Sequence, residues 1–147
     1  MLVLGSLPGE KSLAAQRYYA HPQNRFWHLI GRVIGRELEP LDYETRLAVL
    51  LAAKVGLWDC VASARRAGSL DGAIREAEPN PLAELAASLP DLRAVGFNGG
   101  TSAKIGLPQL ARTGLALVPL PSSSPAHAAM RLAEKEKLWG KLREFLA

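Results

Sequence analysis

A single cysteine, Cys60, excludes an intrachain disulfide and any zinc or iron–sulfur site built from several thiolates. The three histidines, His21, His28 and His127, are too scattered to suggest a metal by spacing, so chemistry without metal or cofactor is expected. No apolar run approaches the ~18 residues a membrane span needs. Met1-Leu2-Val3-Leu4-Gly5 carries neither a basic region nor a cleavage site, so a cytoplasmic protein is expected, nucleoid-associated if bacterial. There is no internal repeat and no Gly-, Ser- or Pro-rich linker. Residues 1–147 are therefore expected to form one domain, acting as a monomer away from membranes.

The composition is ordinary for a globular chain, 48% hydrophobic and 22% charged. Lys and Arg number 18 against 14 Asp and Glu, a formal charge of +4 that suits a polyanionic partner without requiring one. Four short apolar segments, Leu2 to Gly5, Lys54 to Trp58, Leu92 to Phe97 and Leu115 to Pro119, each run into turn residues. Longer stretches with helical periodicity separate them, over about 12–20, 22–36, 43–53, 81–89, 101–112 and 128–145. Pro22 suits a first helical position, Asp42 and Asn80 suit caps, and Gly35 suits a stop. Asp59 to Glu78 reads as a loop with a short helix. The pattern predicts an α/β chain, a three-layer α/β/α sandwich around a four-stranded, mainly parallel sheet.

In such sheets ligands bind beyond the carboxyl ends of the strands. Those ends carry Gly5-Ser6-Leu7-Pro8-Gly9, Trp58-Asp59-Cys60, Asn98-Gly99-Gly100 and Pro121-Ser122-Ser123-Ser124-Pro125. Glycines and serines there let backbone donors approach a phosphate or a flat ring, which by itself indicates a phosphate or nucleotide ligand.

Four ordered blocks lead further: Gly5 to Gly9, Tyr18 to Trp27 (Tyr-Tyr-Ala-His-Pro-Gln-Asn-Arg-Phe-Trp), Phe97 to Gly99, and Pro121 to Ala126. Together they resemble the uracil-DNA glycosylase superfamily. They are most similar to its hypoxanthine-DNA glycosylases, a branch related to the mismatch-specific enzymes. The resemblance spans the chain and implies excision of deaminated bases from double-stranded DNA, with single-stranded DNA a second candidate. Hypoxanthine is the implied substrate and uracil the runner-up. Two departures stand out. Leu7 occupies the place of the water-positioning Asn of the mismatch-specific branch, and Leu120 the place of the His or Asn that stabilises the departing base in many relatives.

Breaking the bond between deoxyribose C1′ and the base puts positive charge on the sugar and negative charge on the base. The site needs a polar acceptor to hold water below the sugar, donors aimed at the base and a pocket that excludes bulk solvent. The resemblance implies that Asn24 takes the water-holding role missing at Leu7; the plain structural alternative is that Asn24 pins the start of a helix. Asp59 is the competing base, with a local turn acceptor as its plain reading. Phe26 resembles the stacking aromatic, with core packing as the alternative. Asn98 resembles the base-edge reader, whose amide matches the adjacent N–H and carbonyl of hypoxanthine or uracil; a turn role is the alternative. Gly5, Ser6 and Tyr18 complete the expected base pocket, with Tyr19 as a second wall.

Ser122, Ser123, Ser124, Pro125 and Lys11 are the expected DNA contacts, the serines acting on phosphates. The final helix, rich in charge of both signs, reads as a solvated face. No lysine sits in a recognisable motif to attack C1′, so water is the expected nucleophile and an abasic site the product. Two other classes compete: a non-catalytic module for damaged or single-stranded DNA, and a small-molecule enzyme acting on nucleosides or phosphoesters.

Overall fold

Strands that are apolar on both faces need cover on both sides, and the chain supplies it from different parts of its length. The structure, a computed structural model, describes residues 1–6, 17–65, 75–125 and 129–146. The four predicted strands are present as β1 (Leu2–Gly5), β2 (Gly56–Asp59), β5 (Ala94–Asn98) and β6 (Ala116–Leu120), all parallel, in the order β2-β1-β5-β6. From β1 the chain moves outward to β2; from β5 it moves the other way to β6. The crevice between β1 and β5 is therefore the switch point at which this class of sheet binds ligands.

Side chains alternate across each strand, and the alternation sorts the interior into two cores. Val3 and Leu120 point to one face, where Phe26, Trp27, Leu29, Ile30 and Val33 of α1 (Phe26–Ile34) pack with Trp139 and Leu142. Leu50 of α2 (Tyr43–Ala52) joins this side. Leu2, Leu4, Val95 and Phe97 point to the other face, against Leu82 of α3 (Leu82–Ala87) and Ala103 and Leu110 of α4 (Gly100–Leu110). The expected α/β/α sandwich is thus borne out. Helix α5 (Leu132–Trp139) runs into a 3-10 turn, Gly140–Phe145, and closes the first face through Trp139 and Leu142.

Local chemistry explains two of the helix ends. Asp42 caps α2 by accepting from the Thr45 N–H at 2.7 Å. Gly35 ends α1 in the left-handed region, φ 75°, where a side chain would be strained. Four expectations need correction. Helix α1 starts at Phe26 rather than Pro22, because the Asn24 side chain takes the Phe26 N–H and the preceding segment turns through His21, whose carbonyl accepts from the Asn24 N–H. Asn80 caps no helix; its side-chain amide donates to the Asp59 carbonyl at 2.7 Å and so latches the end of β2. The segment read as a loop with a short helix contains an antiparallel ribbon, β3 (Val61–Arg65) and β4 (Arg75–Pro79), with two register shifts. Of the helix expected over 12–20, residues 12–16 lie outside the described residues, and 17–20 form a bend and turn.

Candidate active site

The register sets four residues side by side at the carboxyl edge of the sheet. Gly5 pairs with Asp59, Leu4 with Phe97, and Asn98 with Leu120, so the row reads Asp59, Gly5, Asn98, Leu120. Because Val3, Leu57 and Leu120 belong to the core under α1 and Phe97 to the opposite core, alternation aims this whole row at the α1 face. The row is a carboxyl group, a notch, an amide and a leucine. The notch is tight: a Cβ on residue 5 would come within 3.2 Å of both Asp59 Oδ1 and Tyr19 Oη. A side chain there would have to push back the carboxyl and phenol groups that close over its Cα.

Asn98 organises the far side of the notch. Its Oδ1 accepts from the Ser123 backbone N–H at 2.9 Å and its Nδ2 donates to Ser123 Oγ at 2.9 Å. The Ser123 hydroxyl donates onward to Asn24 Oδ1 at 2.8 Å, which also accepts from the Phe26 N–H at 2.9 Å. The Ser123 carbonyl in turn accepts from the Arg25 N–H at 3.0 Å. This chain of bonds ties β5, the Pro-Ser loop and the start of α1 into one unit, and it fixes each amide's orientation, since only an amide oxygen can accept from a backbone N–H. Trp139 adds a strut by donating from Nε1 to the Pro121 carbonyl at 2.9 Å. Gly99, at φ 101°, starts α4 under the same loop.

The aromatic wall differs from the expected one. Phe26 is fully buried, and Tyr19 covers it in a near-parallel stack, centroids 3.8 Å apart and planes 14° apart. Trp27 and Trp139 meet Phe26 edge-on. Tyr19 holds φ at 55°, unusual for a bulky residue and worth of order 1 kcal/mol or more of strain, which the stack and the Asn98 amide against its hydroxyl offset. Tyr18 stands half-buried beside it, its N–H on the Tyr43 hydroxyl at 3.0 Å.

Asp59 differs electrostatically from the rest of the row. Its backbone carbonyl is held by Asn80, and the next residue's N–H by the Gly5 carbonyl at 2.7 Å. Among the described residues its carboxyl group accepts no hydrogen bond and forms no ion pair. Burial pushes its pKa up to about 6. The reverse influence is visible on its neighbours: Tyr18 is pushed up to about 12 and Tyr19 also upward, first by burial and then by the Asp59 charge. Cys60 is pushed up to about 11, chiefly by burial, and is a buried apolar neighbour with Ser102 at 3.4 Å. No group of three or more His, Cys, Asp or Glu able to hold a metal ion occurs among the described residues.

The structure thus brings together Gly5, Asn24, Asn98 and Ser123, with Phe26 behind Tyr19. Ser6 is buried at the end of β1. Of the expected phosphate contacts, Ser123 is 1% exposed and engaged inward, while Ser122, Ser124 and Pro125 lie half-buried on the loop. Lys11, with Leu7, Ala126 and His127, lies outside the described residues. Sequence reasoning missed Lys135, which is not on a solvated face: it is 5% exposed, and burial and then Arg25 lower its pKa. Arg17 stacks over the Tyr43 ring at 5.2 Å.

A family model for the uracil DNA glycosylase superfamily matches residues 1–143. The chain belongs to the uracil DNA glycosylase superfamily. The DNA glycosylase class and DNA as partner, both anticipated from the motifs, are borne out by this membership. Two proteins named hypoxanthine DNA glycosylase are similar to it. One, from Methanosarcina barkeri, is 42% identical over 102 residues, 69% of this chain and 65% of that protein, so the match spans just under two thirds of the relative. The other, from Methanosarcina acetivorans, is 39% identical over 127 residues, 86% of this chain and 80% of that protein. A solution NMR structure of a candidate uracil DNA glycosylase from Methanosarcina acetivorans superposes with a TM-score of 0.86 at 36% identity, covering 97% of this chain and 88% of that one. The superfamily fold expected from the motifs is therefore the fold observed. No helix among the described residues is long and apolar enough to cross a membrane.

Proposed function

We propose that this member of the superfamily is a monofunctional glycosylase that excises hypoxanthine, and secondarily uracil, from double-stranded DNA and leaves an abasic site. The observation that carries the reading is the Asn24–Ser123–Asn98 chain of hydrogen bonds, which locks the Pro-Ser loop and the start of α1 at the mouth of the β1/β5 crevice beside a stacked aromatic pair. A base turned out of the duplex stacks on Tyr19, and Gly5 and Ser6 let the end of β1 approach its edge. Asn24 positions the attacking water. Its Oδ1, the atom expected to accept from the water, is instead occupied by two donors, whereas its Nδ2 donates to none of the described residues and is left to hold the water by donating to its oxygen. Positioning suffices in this chemistry, because the sugar is already cation-like when water arrives and needs little help from a base. Pro-Ser loop residues Ser122, Ser124 and Pro125 meet the backbone, with Arg25 supplying charge.

The hypoxanthine assignment follows the names of the two Methanosarcina relatives. Single-turnover reactions on duplexes carrying hypoxanthine, uracil, xanthine or mismatched thymine, followed by alkaline cleavage of abasic sites, test it. Hypoxanthine opposite thymine should be released fastest. Asn24→Ala should slow release by about 100-fold or more with duplex affinity near normal. Binding without release would instead identify a damage-binding module, and release from free inosine a nucleoside enzyme.

A further inference from the structure

Departure of a purine is helped by a proton, and the position that stabilises the leaving base in many relatives is filled here by Leu120, which has none to give. The same row of the sheet holds one group that does. Asp59 lies two positions from Leu120's neighbour Asn98, on the same face, across the Gly5 notch, with Oδ1 against the place a residue-5 Cβ would take. Asn98, the other polar side chain of the row, has both amide atoms engaged with Ser123 and is not free to follow a departing base. Tyr19 Oη reaches the notch but is a much weaker acid.

Resting on the glycosylase reading above, we propose that the Asp59 carboxyl group is the proton donor to the departing base. As the C1′–N bond breaks, its electron pair leaves with the base, and Asp59 passes its proton to a base nitrogen or carbonyl oxygen. Water adds to C1′, and the proton it sheds restores the carboxylic acid, so that base and abasic site are the only products. The groups facing Asp59 among the described residues are Tyr18 and Tyr19 from the turn before α1 and Cys60 from the end of β2. None is cationic at neutral pH, so none of these described groups holds the carboxylate in its charged form. Its raised pKa, near 6, leaves an appreciable protonated fraction in mildly acidic and neutral solution.

The test is the pH dependence of single-turnover release of hypoxanthine, with enzyme saturating, between pH 5.5 and 7.5. Wild type should lose rate above about pH 6, approaching tenfold per pH unit. Asp59→Asn keeps a hydrogen-bond donor but has no proton to give; it should be slower by roughly 100-fold at pH 6 and independent of pH. A purely structural Asp59 would change the level but keep the slope. If the variant fails to fold, wild type alone decides: the ratio of 5-fluorouracil to uracil release should grow with pH, because fluorouracil departs as the more stable anion. A wild-type rate that is flat or rises with pH, an Asp59→Asn profile with the wild-type slope, or a constant fluorouracil ratio overturns the proposal. A wild type that releases no base from any duplex overturns the glycosylase reading itself and this step with it.

Discussion

Replacing Ser123 by Ala removes one oxygen that joins three parts of the site. Two hydrogen bonds go with it, from Asn98 Nδ2 and to Asn24 Oδ1. Asn24 Oδ1 keeps the Phe26 N–H, so the loss at that end is that of an ordinary bond, about 1 kcal/mol. Asn98 is 7% exposed, and its Nδ2 would be left short of a partner in a place water reaches poorly, for roughly 1–3 kcal/mol. The sum is about 2–4 kcal/mol, or about 4–16 °C in Tm for a chain of this size. Urea unfolding at constant m-value measures it, and single-turnover release should fall in parallel, because Asn24 loses the brace that orients it. A double-mutant cycle with Asn98→Ala should show a coupling of about 1 kcal/mol or more. If Ser123→Ala cost under about 0.5 kcal/mol and the two substitutions added without coupling, the three-part lock would not exist and the site would owe its shape to the flanking cores alone.

Asp59 also makes a stability prediction, with a sign opposite to that of most charge removals. The folded state raises its pKa to about 6 from an ordinary 3.8, so between these values the folded chain binds the extra proton and stability falls as pH rises. The full difference corresponds to ~3 kcal/mol at 1.36 kcal/mol per pKa unit, and partial access to water reduces this to about 1–2 kcal/mol. Asp59→Asn should therefore melt about 2–8 °C higher at pH 7.5 and no higher near pH 3.5, by calorimetry; equal gains at both pH values would contradict the burial argument. Gly106→Ala in α4 would press a methyl group onto the Phe97 ring, with Phe97 Cδ1 at 3.0 Å and Cys60 Sγ at 3.3 Å. Overpacking of about 1–3 kcal/mol should outweigh the ~1 kcal/mol that alanine contributes to a helix, lowering the urea midpoint; a raised midpoint would show that β5 and α4 have slack.

The four parallel strands were legible because each is a short apolar run closed by a turn residue, and the convergence of their carboxyl ends follows from parallel pairing alone. Asp42 and Gly35 were legible for a similar reason: their effect is local. The ribbon Val61–Arg65 with Arg75–Pro79 was not, since Arg75-Glu76-Ala77-Glu78 carries no alternation of apolar residues and its pairing depends on partners 10 to 18 positions away. The motif identified the aromatic wall but not which ring faces out; that depends on the left-handed turn at Tyr19, which brings its ring over Phe26. The role of Asn98 was half legible. Its place at a strand end could be read, but that both its amide atoms are committed to Ser123, 25 positions further on, is a fact of tertiary packing. Lys135 sits in a run of alternating charges that hides its burial beside Arg25.

The central position of β1 bears on how the chain assembles. Its first residues find their partners only at Gly56 and Val95, one on each side. During synthesis β1 must wait until the strand beginning at Ala94 has emerged before both its edges are covered, a topology of distant pairings that slows folding and leaves sticky intermediates. Expression at reduced temperature, or with a chaperone that shields a nascent apolar segment, should therefore raise the yield of native protein more than any change at the carboxyl end of the chain.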